Sequence, residues 1–128
     1  AAASKNKINP IYVVAPSTND ARLAEVTAKT GGFVYAASLM GVTGTRTSVS
    51  SDASNLVSRV RSVTELPISV GLGVSTREQA KSLAAYADGV IVGSAFIKAI
   101  QEAPNEEAGL AAVKELATEL AKGVREGR

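Results

Sequence analysis

Three β-branched runs in this 128-residue chain end in glycine: Gly41-Val-Thr-Gly44, Gly71-Leu-Gly73-Val-Ser75 and Gly93-Ser94. Each run leads into a helical pattern. Glycine at such a junction lets main-chain N–H groups approach a ligand, and a helix N-terminus adds partial positive charge. Three such turns on one rim form a cup for a phosphate group, so the chemistry indicated is recognition of a phosphorylated metabolite. Acid–base groups are scarcer. Most of the twelve acidic residues fall within or beside helical patterns. Asp20 and Asp52 lie near the loops that follow strands, and both read as helix-start residues rather than as a catalytic carboxylate. Histidine is absent, which removes the usual general base and the commonest metal ligand.

Composition narrows the class further. There is no cysteine, hence no disulfide framework and no thiolate metal site. The 14 basic residues nearly balance the 12 acidic ones and do not cluster among aromatics, which argues against a nucleic-acid surface. No run approaches the roughly 18 apolar residues of a membrane span, and no signal peptide is recognisable. A soluble cytoplasmic protein is the expectation. A hydrophobic content of 45% suits a chain that buries a core.

The elements that must hold the cup follow from periodicity. Pro10–Pro16, Gly32–Ser38, Pro67–Val74 and Gly89–Gly93 are short, continuous apolar runs, expected to be parallel strands buried on both faces. Ser17-Thr-Asn-Asp20 caps a helix that buries Leu23, Val26 and Thr27. Leu56, Val57 and Val60 mark a second helix. Ser75-Thr-Arg-Glu78 reads as a capping box opening a third, with Ala80, Leu83, Ala84 and Ala87 as its stripe. Ser94 to Ile100 is a short helix. After a break at Ala103-Pro-Asn105, the last helix runs from Glu106 to about Arg125 and buries Leu110, Val113, Leu116, Leu120 and Val124. Ala1–Lys7 reads as the end of a preceding helix. Four βα units in this length correspond to half of a (β/α)8 barrel. A doubly wound sheet also alternates strand and helix, but Gly71-Leu-Gly73 lacks the third glycine of the dinucleotide fingerprint, with Thr76 in its place.

Three blocks carry a family resemblance: Gly32-Phe-Val-Tyr35 through Gly41-Val-Thr43-Gly44-Thr-Arg-Thr, Leu66-Pro-Ile-Ser-Val-Gly-Leu72-Gly73-Val-Ser75, and Ala87-Asp-Gly-Val-Ile91-Val-Gly93-Ser94-Ala-Phe-Ile-Lys98. Together with the Pro10–Pro16 strand they resemble strands five to eight and the intervening loops of the tryptophan synthase α subunit. The resemblance covers essentially the whole chain and the second half of that family's barrel. It implies that residues 1–128 are the C-terminal half of one (β/α)8 TIM barrel domain. The implied activity is retro-aldol cleavage of indole-3-glycerol phosphate to indole and glyceraldehyde 3-phosphate, in tryptophan biosynthesis.

Such a cleavage needs a proton at the ring carbon bearing the side chain, a base for the glycerol hydroxyl, and an acceptor for positive charge on the indole nitrogen. In the family a glutamate and an aspartate of the first half fill these roles, so no catalytic residue is expected within these 128. By resemblance Gly44, Gly73, Gly93 and Ser94 hold the phosphate, and Tyr35, Leu72 and Ile91 line the indole pocket. Thr43 lies in a lid from Leu39 to about Asp52 and supports the aspartate of the absent half. Leu72 replaces a family phenylalanine, and Leu39 stands where arginine is common; Arg46 is assigned no role. The resemblance further implies an α2β2 heterotetramer with a β subunit that carries pyridoxal phosphate, while the α chain needs neither metal nor cofactor. Two other readings are a self-standing dimeric half barrel that binds phosphate esters without turnover, and a phosphate-binding barrel enzyme of the histidine-biosynthesis type.

Overall fold

The computed structural model describes residues 2–38, 51–71 and 73–128. A short helix α1 (Ala2–Lys5) precedes β1 (Val13–Val14), α2 (Asp20–Lys29), β2 (Val34–Ala37), α3 (Ser51–Arg61), β3 (Ile68–Gly71), α4 (Arg77–Ala84), β4 (Gly89–Ile91), α5 (Ser94–Gln101) and α6 (Glu106–Gly127). The strands form one parallel sheet in the order β1-β2-β3-β4. Val13 and Val14 pair with Tyr35 and Ala36, Val34 through Ala37 with Ile68 through Gly71, and Ser69 through Gly71 with Gly89 through Ile91. Sequential, all-parallel order with a helix after every strand is the construction of a (β/α) barrel wall. All four strands therefore point their C-terminal ends toward one rim.

The helices cover one face of this wall. Val14, Val34, Ala36, Ile68 and Val70 lie on that face and are almost wholly buried, packed against Leu23, Leu56, Val57, Val60 and Leu83. Burying each such aliphatic side chain contributes about 1.5–3 kcal/mol. The alternate residues Tyr35, Ala37, Ser69 and Ile91 occupy the other face and are only half-buried, while Val13 is 59% exposed. The continuous apolar runs lead one to expect burial on both faces. Among the described residues burial instead alternates along β2, because helices pack on one side of the sheet alone.

The helix starts follow side-chain chemistry. Asn19 caps α2 by accepting from the Arg22 N–H at 2.8 Å, and Asn105 does the same for α6 through Ala108. The capping box of α4 falls one residue later than the sequence reading: Thr76 accepts from the Gln79 N–H, and Gln79 Oε1 accepts from the Thr76 N–H. Leu110 also differs from expectation. It is 67% exposed on α6, whose buried residues are Gly109, Leu120 and Gly123. The strands are shorter than their apolar runs, and α6 continues to Gly127. Among the described residues no helix is long and apolar enough to cross a membrane.

Candidate functional site

The rim formed by the strand C-termini holds the candidate residues. Gly71 ends β3 and Gly73 follows in the left-handed region, with φ of 80°. That backbone turns the chain away from the sheet, buries Val74 and leads through Ser75 into α4. Gly93 precedes α5 as its N-cap, and no side chain caps that helix. The first N–H groups of any helix lack intrahelical acceptors by position, so the Ser94 and Ala95 amides point out of the α5 terminus. The Phe96 N–H turns back to the Gly93 carbonyl at 3.0 Å.

These two turns meet. Gly73, Val74, Ser75, Ser94, Ala95, Ile97, Lys98 and Gln101 line one open cleft of about 380 Å³. The structure thus brings together Gly73 and Ser94, and Gly93 directly precedes Ser94 as the N-cap of α5. Ser75 joins the cleft because Thr76 takes the capping role; the Ser75 N–H itself is held by Gln79 Oε1 at 2.8 Å. Sequence reasoning assigned no role to Lys98 or Gln101. The available signal was spacing, since Lys98 lies four residues after Ser94 on one helical face.

The remaining residues distribute as follows. Tyr35 and Ile91 both lie on the half-exposed face of the sheet, in neighbouring rows: Tyr35 beside Ser69, and Ile91 beside Gly71. Ile91 leans over Gly71, where an added Cβ would stand 2.7 Å from both the Cβ and the carbonyl oxygen of Ile91. Leu39, Thr43, Gly44, Arg46 and Leu72 fall outside the described residues, as does the proposed lid up to residue 50; Ser51 and Asp52 already belong to α3. Asp20 opens α2 and pairs with Arg59 at 2.9 Å, and Asp52 sits in the first turn of α3, matching their reading as helix-start residues.

A cleft built from a left-handed glycine turn and an uncapped helix N-terminus can receive an anion. The family model of the tryptophan synthase alpha chain matches residues 1–125. The chain belongs to the tryptophan synthase alpha chain family. Its similarity to the alpha chain of Streptomyces avermitilis is 62% identity over 98% of this chain and 45% of that protein. For the alpha chain of Thermobifida fusca it is 53% over 92% and 45%. Among solved structures, a tryptophan synthase from Mycobacterium tuberculosis superposes with a TM-score of 0.82 at 48% identity, over 97% of this chain and 45% of that one. An alpha-subunit variant from Pyrococcus furiosus gives 0.78 at 36%, over 94% and 47%. The chain spans about half the length of the curated relatives it matches, and its four βα units are the last four of the family's (β/α)8 barrel.

Proposed function

We propose that residues 1–128 form the C-terminal half of a single barrel domain whose whole protein cleaves indole-3-glycerol phosphate to indole and glyceraldehyde 3-phosphate. The observation that carries this reading is the family match over residues 1–125, together with the meeting of Gly73 and Ser94 in one cleft. In the reaction the carbon–carbon bond between ring and side chain breaks as the ring carbon gains a proton and the glycerol hydroxyl loses one. This half supplies binding. Gly44, Gly73, Gly93 and the Ser94 N–H and hydroxyl hold the phosphate, each charge-assisted bond contributing about 1.5–3 kcal/mol. Tyr35, Leu72 and Ile91 form the apolar wall for the indole ring. Thr43 supports the aspartate of the first half as the lid closes, which keeps water from the reacting atoms.

The glutamate and aspartate that transfer the protons belong to the other half, so the 128-residue chain binds substrate and does not turn it over. The whole protein docks, in this reading, on a β subunit that holds pyridoxal phosphate and consumes indole, in the cytoplasm. Titrating the chain with indole-3-glycerol phosphate tests the division of labour. Amide resonances of Gly73 and Ser94 shift while no indole is released. Indole release by the chain alone, or resonances that stay in place, overturns the proposal.

A further inference from the structure

The main-chain N–H groups and helix terminus of the cleft leave part of a phosphate dianion's charge unbalanced. A phosphate monoester carries between one and a half and two negative charges near pH 7, whereas a helix terminus offers about half a positive charge. Among the described residues that line the cleft, Lys98 is the ionisable one. It stands one turn after Ser94 on the same face of α5, and helical side chains lean toward the N-terminus. The Lys98 ammonium group, however, lies 3.9 Å from Glu102 Oε2, with both side chains about 70% exposed. A contact of that length between solvated partners is weak, and lysine preceding glutamate is the less favourable order for such a pair.

We propose that Lys98 is the counter-charge of this cleft, parked on Glu102 until a phosphate draws it toward the N-terminus of α5. The proposal rests on the phosphate-binding reading above and extends it: Glu102 competes with the ligand for the same ammonium group. Binding then contains an ion exchange within one helix, and its affinity depends on charge at a residue that need not touch the ligand.

The test titrates the 128-residue chain with glycerol 3-phosphate, and with glycerol as the uncharged control, at 20 and 200 mM salt. K98M, K98R and E102Q are compared with wild type, with thermal melting to confirm folding of these exposed substitutions. K98M weakens glycerol 3-phosphate about tenfold and flattens the salt dependence, whereas K98R stays within about threefold of wild type. E102Q binds about two- to threefold tighter, because the competitor is gone. K98M binding like wild type with the same salt dependence, or E102Q binding no tighter, overturns the inference and leaves the cleft intact as a phosphate site. Failure of wild type itself to bind glycerol 3-phosphate overturns both the underlying reading and the inference.

Discussion

Gly73 in the cleft and Gly93 beside it differ in backbone and surroundings. Gly73 has φ of 80°, a conformation that costs an L-residue roughly 1–2 kcal/mol, so the turn alone accounts for it. Gly93 has φ of −127°, and a Cβ built there meets nothing within 4 Å. The space around Gly93 would admit a Cβ, so a substitution there tests the proposed phosphate contact without a packing clash. Gly73→Ala should therefore lower stability by about 1–2 kcal/mol in urea unfolding. Gly93→Ala should change stability by less than about 0.5 kcal/mol yet weaken glycerol 3-phosphate about tenfold. A Gly93→Ala chain that binds like wild type would make that glycine incidental. The sequence displayed both glycines as equivalent marks at strand ends, and only backbone angles and open space separate their roles.

At the scale of elements, α5 is held in place by the packing of α4 and α6 behind it. A Cβ on Gly123 would run into the Arg77 carbonyl oxygen, and one on Gly127 into that of Lys81, so α6 lies against the α4 backbone. Above this contact the Arg77 guanidinium donates to Glu126 at 2.6 and 2.9 Å and to Glu119 at 3.3 Å. Gly123→Ala gains about 1 kcal/mol of helix propensity but forces the helices apart, at about 1–3 kcal/mol. The obstacle is a backbone carbonyl that cannot rotate aside, so a net loss of about 1 kcal/mol is expected. Gly109→Ala is the matched control. Its Cβ would meet Ala103 at an ordinary 3.7 Å, so propensity dominates and the melting temperature should rise. Urea midpoints of the two variants shifting in the same direction would refute this account. Periodicity and capping signals located α2 to α6, yet they named Leu110 as part of the buried stripe. A hydrophobic pattern marks side chains that could pack, whereas the closest approach of two helices is set by residues with no side chain at all. The displaced capping box has a similar cause, since Ser75-Glu78 and Thr76-Gln79 both satisfy the spacing and only the bonds of Gln79 decide between them.

Across the whole molecule, the order of strands and helices was legible because each apolar run is short and opens on glycine or proline. The half-exposed inner face was not, because Tyr35 and Ile91 are as apolar as the residues that the helices bury. A second long-range feature also escaped the sequence: Asp88, before β4, joins elements far apart in the chain. Its N–H donates to the Ile68 carbonyl at 2.8 Å, and its carboxylate accepts from the Ile68 N–H at 2.9 Å and pairs with Arg61 at 3.1 Å. Its carbonyl accepts from Arg128 at 2.7 Å, drawing in the end of the chain. The Ile68 N–H first, and the Arg61 guanidinium after it, hold the Asp88 carboxyl below its ordinary value of 3.8. A depressed carboxylate stabilises the fold fully at pH values above its unfolded value, and that contribution disappears as pH falls through the lower folded value. Asp88→Asn keeps an acceptor for Ile68 but loses the charge. It should be less stable than wild type at pH 7 by about 0.5–1 kcal/mol, a modest figure because the carboxylate is partly solvated. Below about pH 4 the gap should close as wild-type Asp88 takes up its proton. Lys122 and Arg77 hold Glu119 low, and Arg77 does the same for Glu126, so both chains weaken in acid and the informative quantity is the difference between them. Urea unfolding of the two chains at pH 7 and pH 3 measures it. A difference that is the same at both values would show that Asp88 acts through shape alone, whereas convergence in acid would show that its charge couples β3 to α3.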